Sequence, residues 1–121
     1  MAKKQNNRLI RINDEIMREV AIIIRGELKD PRIGVITSVT EVDTTNDLKY
    51  CKIYISVLGN DKEKEDVITG LKNAKGFIRR ELARRINLRN TPELTFLLDQ
   101  SLEYSMHIDE LINKVTKSES V

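Results

Sequence analysis

The sequence predicts an α+β domain: a three-stranded sheet with helices packed on its apolar face, in the order α-β-β-α-α-β, followed by a C-terminal helix. Three observations predict it. Apolar residues recur at three- and four-residue steps from Leu9 to Leu28; two runs rich in β-branched residues flank the turn-prone stretch Asp43 to Asp47; and a basic amphipathic segment carrying an internal glycine precedes one more short apolar run. With 121 residues, 40% apolar and 33% charged, the chain suits one ordered domain with a single modest core. No linker long enough for a second domain is visible, so 1–121 reads as one domain, with an ordered core over about 8–114 and flexible tails at 1–7 and 115–121.

Leu9, Ile12, Ile16, Val20, Ile24 and Leu28 fall on one face of a long first helix. Its expected stop is Lys29-Asp30-Pro31, because the residue before proline is pushed out of the helical region. Val35 to Val42 is too short and too branched for a helix and reads as a strand. In the second strand Cys51, Ile53, Ile55 and Val57 alternate with Tyr50, Lys52, Tyr54 and Ser56, which implies one buried and one open face. Gly59-Asn60-Asp61 ends it, and Asp61 is the expected cap of a helix whose first turn carries Glu63, Glu65 and Asp66, the sign the positive end of the helix dipole favours. That helix runs through Val67, Ile68 and Leu71 into Lys72-Asn73-Ala74-Lys75-Gly76-Phe77-Ile78-Arg79-Arg80-Glu81-Leu82-Ala83-Arg84-Arg85. Glycine costs about 1 kcal/mol relative to alanine inside a helix, so two helices meeting near Gly76 is the better reading. Leu94 to Leu98 forms the third strand, expected beside the first or second, and Ile108, Leu111, Ile112 and Val115 mark the final helix. The same order of elements is found in the type II KH domain, a single-stranded RNA-binding module.

Composition excludes several classes of function. No run of eighteen apolar residues and no charged-then-apolar leader is present, which leaves the cytoplasm as the expected compartment. One cysteine, Cys51, and one histidine, His107, form no disulfide, zinc set or nucleophile-base pair that spacing could indicate. Asp99 and Glu103 read as capping acids. Phosphate-loop and dinucleotide-binding glycine patterns are missing. No catalytic site, cofactor, metal or small-molecule substrate is expected, and the chain reads as a monomer.

Charge is sorted along the chain although its net value is only +2. Lys3, Lys4, Arg8 and Arg11 face no acid within residues 1–13, and Lys72, Lys75, Arg79, Arg80, Arg84, Arg85 and Arg89 face only Glu81 within 72–89. One end of the molecule should therefore attract polyanions. At 100° per residue, Lys72, Arg79, Arg80 and Arg84 lie opposite Ile78, whereas Lys75 and Arg85 fit this wheel poorly, as a bend at Gly76 would cause. A basic helical face is more often merely solvated than a ligand site. Here a single acid is available for intrahelical pairing, and arginine's planar fork suits phosphate. Tyr50 and Tyr54 share the open strand face, where cross-strand packing is the ordinary role and stacking on bases the alternative.

Asp30-Pro31-Arg32-Ile33, Asp47-Leu48-Lys49-Tyr50, Lys52-Ile53-Tyr54-Ile55-Ser56-Val57, Leu58-Gly59-Asn60, Ala74-Lys75-Gly76-Phe77-Ile78-Arg79, Leu88-Arg89, Pro92-Glu93-Leu94, Phe96, Asp99, Ser101 and Ile108 with Leu111, in this order and spacing, resemble the ribosome-binding factor A family from about Arg8 to Ile112. Cys51 stands where that family usually has alanine, and Ser105 where it usually has glycine. The resemblance implies a bacterial KH-like protein in which an Ala-x-Gly kink, here Ala74 and Gly76, replaces the Gly-x-x-Gly loop of RNA-gripping KH domains. It also implies binding to the free small (30S) ribosomal subunit and its 16S rRNA, with help in late maturation and 5′-end processing of that RNA, notably in the cold. On this reading residues 72–89 make the main RNA contact, Lys3, Lys4, Arg8 and Arg11 a second, and Arg32 a third. The alternative is a protein-interaction module whose basic helix only keeps it soluble.

Overall fold

The computed structural model describes residues 7–26, 28 and 37–100. Helix α1 (Asn7–Gly26) is followed by strands β1 (Thr37–Thr44) and β2 (Tyr50–Val57), helices α2 (Asp61–Asn73) and α3 (Lys75–Arg85), and strand β3 (Glu93–Leu98). The expected order of three helices and three strands is found. Arg32 and the expected C-terminal helix lie outside the described residues.

The stripe on α1 buries Leu9, Ile12, Ile16, Val20, Ile23 and Ile24 together with the polar Asn13. The helix stops at Gly26, before the expected Lys29. The Leu28 N–H donates to the Ile23 carbonyl at 3.2 Å, the six-to-one bond that closes many helix C-termini, while the Leu28 side chain packs against the core. Asn13 has a structural task. Its Oδ1 accepts from the Thr44 N–H at 3.1 Å, satisfying a buried backbone donor at the end of β1.

β2 is the central strand, antiparallel to β1 and parallel to β3, so β3 returns beside the second strand after the two-helix crossover. The register sets Ile53 beside Phe96 and Cys51 beside Leu94. The alternation read from the sequence is realised: Cys51, Ile53, Ile55 and Val57 are buried, and their neighbours face outward. An irregularity between Val39 and Glu41 leaves Thr40 as an extra residue in β1. Its hydroxyl donates to Asp99 Oδ2 at 2.5 Å, while the Asp99 N–H donates to the Ile55 carbonyl at 2.7 Å. Asp99 thereby ties the end of β3 to the bulge of β1; the helix it is expected to cap lies outside the described residues.

Asn60, one residue earlier than expected, caps α2. Its Oδ1 accepts from the Glu63 N–H at 2.8 Å and Glu63 Oε1 accepts from the Asn60 N–H at 3.0 Å, a reciprocal capping box. Asp61, already helical, can offer only its charge to the dipole. A β-carbon on Gly59 would stand 3.1 Å from the Glu63 Cβ and Oε1, so a side chain there would make Glu63 give by a few tenths of an ångström. Asn60→Ala should lower stability by about 1 kcal/mol, read as a shift of the urea midpoint at unchanged slope.

Candidate functional site

The basic segment spans the end of α2 and all of α3. α2 ends at Asn73, and Ala74 (φ −88°, ψ 1°) interrupts it, giving its N–H to the Gly70 and Lys72 carbonyls before α3 begins. Two helices therefore meet where the glycine cost placed their junction. Gly76 itself lies in the first turn of α3 and is exposed. No glycine among the described residues has a positive φ, and a β-carbon on Gly76 would meet nothing within 4 Å. No steric demand for glycine at 76 thus comes from the described chain. Gly76→Ala should raise stability, by up to about 1 kcal/mol from helix propensity, and a thermal melt reads the sign.

α3 is anchored by Ile78 and Leu82, both fully buried. That pair fixes the roll of the helix and turns Arg79, Arg80 and Arg84 outward, as the wheel anticipates. The cations then divide by what holds them. Arg79 Nη2 donates to the Thr91 carbonyl at 2.9 Å, pinning the loop before β3. Glu81 takes Arg84 at 2.7 Å and Arg85 at 3.2 Å, and Arg85 also reaches Glu19 of α1 at 3.3 Å. Its poor fit to the outer face has this cause: Arg85 is half-buried and bridges α3 to α1. Lys72, Arg80 and Arg89 are exposed and Lys75 half-buried, and none of the four has a hydrogen bond or ion pair among the described residues. Uncommitted positive charge thus remains on this segment.

Residues expected to form two separate basic patches also converge. Arg8, from the first turn of α1, and Arg89, from the α3–β3 loop, line one cleft of about 220 Å³ with the β1–β2 turn. Arg11 is exposed on α1. Lys3 and Lys4 lie outside the described residues. The turn contributes Asp47, a residue given no functional weight by sequence reasoning; the signal that could have found it is the Asx pattern of a short acid that bonds its own turn. Asp47 Oδ1 accepts from the Thr45 hydroxyl at 2.7 Å and from the Lys49 N–H at 3.1 Å, and these two bonds, the hydroxyl first, hold its carboxyl below the usual range.

No group of three or more His, Cys, Asp or Glu among the described residues is placed to hold a metal ion, and no described helix is long and apolar enough to cross a membrane. Cys51 is buried, and desolvation pushes its thiol up to about 11, against the opposing hydrogen bond from the Thr44 hydroxyl at 3.5 Å. Such a thiol stays protonated and behaves as a small hydrophobe. Its folded pKa lies above the unfolded one, so the stability it contributes is complete below about pH 9 and is lost as pH rises toward 11. The stability difference between the parent and Cys51→Ala should shrink by about 1 kcal/mol between pH 8 and 10, measured by paired denaturant titrations.

The family pattern described as Ribosome-binding factor A matches residues 8–112. The chain belongs to the ribosome-binding factor A family. It is 53% identical over 118 residues to the ribosome-binding factor A of Lachnospira eligens, covering 98% of this chain and 91% of that one. It is 54% identical over 116 residues to that of Agathobacter rectalis, covering 96% of each. Among solved structures, the crystal structure of ribosome-binding factor A from Thermus thermophilus superposes with a TM-score of 0.66 at 26% identity, covering 74% of this chain and 94% of that one. A Thermus thermophilus ribosome-binding factor A, fitted as a homology model into the cryo-EM map of a 30S complex, superposes with a TM-score of 0.60 at 26% identity, covering 73% of this chain and 91% of that one.

Proposed function

We propose that this chain is a ribosome biogenesis factor that binds the free small ribosomal subunit. It touches the 16S rRNA and assists late maturation and 5′-end processing, with the greatest need in the cold. The observation that carries the reading is the uncommitted charge at the α2–α3 junction: Lys72, Lys75 and Arg80 have no partner among the described residues, although Glu81 and Glu19 lie close enough to bind other arginines. Lys75 and Arg80 stand on α3, whose roll is fixed by buried Ile78 and Leu82, and Lys72 stands in the last turn of α2 beside buried Leu71, so these cations are presented to a partner at little reorganisation cost. Membership of the family, and the 30S complex of the Thermus thermophilus relative, support the small subunit as that partner.

The site is read as Lys72, Lys75, Arg79, Arg80, Arg84, Arg85 and Arg89, with Lys3, Lys4, Arg8, Arg11 and Arg32 as further contacts. Within this set the hydrogen bonds assign different work. Arg79 and Arg85 brace the helix, and Arg84 shares Glu81, so Lys72 and Arg80 carry the freest charge. The domain is KH-like of type II, spans the chain as one unit and works as a cytoplasmic monomer. Its action is conformational rather than catalytic: tighter binding to one RNA arrangement shifts the population toward it. The Ala74–Gly76 junction stands in for a Gly-x-x-Gly loop. Since the chain itself leaves room at Gly76, the missing side chain at this position of the first turn of α3 serves close approach of the RNA backbone.

Phosphate contacts leave a signature in salt dependence. Lys72→Ala combined with Arg80→Ala should weaken binding to purified small subunits and lower the magnitude of the slope of log affinity against log salt by roughly 1.5, about 0.7 to 0.9 for each contact. Both residues are exposed, so the melting temperature should stay within about 0.5 kcal/mol equivalent of the parent. An unchanged slope would turn attention to a protein surface of the subunit and to the protein-interaction alternative.

A further inference from the structure

The cleft between the first turn of α1 and the β1–β2 turn has a chemistry of its own. Arg8 and Arg89 converge there from positions far apart in the sequence, and neither has a hydrogen bond or ion pair among the described residues. Asp47 shares the cleft, with Oδ1 occupied by Thr45 and Lys49, whereas Oδ2 accepts no hydrogen bond among the described residues. The floor is apolar, made by the buried side chains of Leu9, Ile12 and Leu48. Leu48 adopts φ 60°, the only non-glycine positive φ among the described residues. A leucine is unfavourable there, and the conformation is held by the Leu48 N–H on the Thr45 carbonyl at 2.9 Å and by Asn90 Nδ2 on the Leu48 carbonyl at 3.2 Å. Backbone strain held in place beside a cleft is characteristic of ligand sites.

Two unpaired guanidiniums call for an oxyanion, and they argue against a metal ion. The Asp47 carboxylate that shares the cleft disfavours an acidic peptide, which would set like charges together. A ligand that satisfies both signs carries a phosphate at one end and a hydrogen-bond donor on a flat apolar body at the other. One free carboxylate oxygen matches a single amino group, as on N4 of cytosine, better than the paired N1–H and N2–H of guanine. A cleft of about 220 Å³ is also smaller than sites for drug-sized ligands, roughly 300–1,000 Å³, which favours a pyrimidine over a purine.

We propose that this cleft seats one unpaired cytidine nucleotide of RNA, its phosphate between Arg8 and Arg89 and its N4 amino group on Asp47. The inference rests on the reading of the chain as an RNA-contacting factor and adds base discrimination at a place separate from Lys72 and Arg80. The probes are CMP and UMP, which differ at positions 3 and 4 of the base: CMP presents the N4 amino group beside an N3 acceptor, UMP the O4 carbonyl beside an N3–H. Titrated into the full-length isotope-labelled chain, CMP should shift the amide signals of Asp47 and Leu48 and bind about fivefold or more tightly than UMP. Arg8→Ala with Arg89→Ala, both at exposed positions, should weaken CMP about tenfold at an unchanged thermal melt. Asp47→Asn keeps the Oδ1 acceptor for Thr45 and Lys49 and can place an amide donor on the other side, so the preference should turn toward UMP. The single strand UUCUU should bind more tightly than CMP through its further phosphates. Equal binding of CMP and UMP, shifts confined to other residues, indifference to the paired arginine change, or an oligonucleotide that binds no better than CMP would each overturn the proposal. None of those outcomes bears on Lys72 and Arg80, which do not line the cleft and are judged by the salt slope of subunit binding.

Discussion

The anchoring of α3 is the constraint on which the rest of the arrangement depends. An eleven-residue helix with five basic residues has little to bury: Ile78 and Leu82 are its two fully buried side chains, and Phe77 is partly packed against the core. Two points fix a roll but leave a short helix free to rock. Arg85 removes that freedom by reaching Glu19 of α1 and Glu81 of its own helix from a half-buried position, and Arg79 adds a tie to the Thr91 carbonyl. Two of the basic residues thus hold the helix and the others are displayed by it. Electrostatic presentation and packing are the same problem here, because the interhelical brace is built from the charge type that covers the outer face.

The junction between α2 and α3 shows how one helix can give way to the next without a tight loop. Ala74, with ψ near 0°, breaks the run, and the two hydrogen bonds accepted from its N–H by Gly70 and Lys72 keep the break compact. Gly76 then leaves one exposed position in the first turn of α3 without a side chain. Its intrinsic cost to the helix is about 1 kcal/mol and finds no compensation in packing among the described residues. That mismatch between local stability and sequence is the kind of violation expected where a surface is shaped for a partner.

Local patterns were legible in the sequence because local physics writes them. The stripe of α1, the alternation of β2, the glycine near the α2–α3 junction and the acidic start of α2 all follow from helix or strand period and from capping chemistry. The sequence points to Asp61 where Asn60 is the N-cap, because asparagine and aspartate cap almost equally well; only the geometry of Glu63 distinguishes the two. The Thr40 bulge with its Asp99 tie, the Asn13 bond to Thr44 and the meeting of Arg8 with Arg89 join positions far apart in the chain. No period or spacing encodes such contacts, so they became visible only once the sheet register and the docking of α1 were in place. Family resemblance, carried by Ala74-Lys75-Gly76 and its neighbours, reached the family without any of them.

The central claim, that α3 faces RNA through its outward cations, is tested most directly by site-specific cross-linking. A photoreactive residue placed at Arg80 and, as a control, at Thr95 on the outward face of β3 would be irradiated with the full-length protein bound to small subunits. The account predicts cross-links to ribosomal RNA from position 80, lost at high salt, and few or none from position 95. Cross-links from position 80 to ribosomal proteins alone, or RNA cross-links predominantly from position 95, would contradict it.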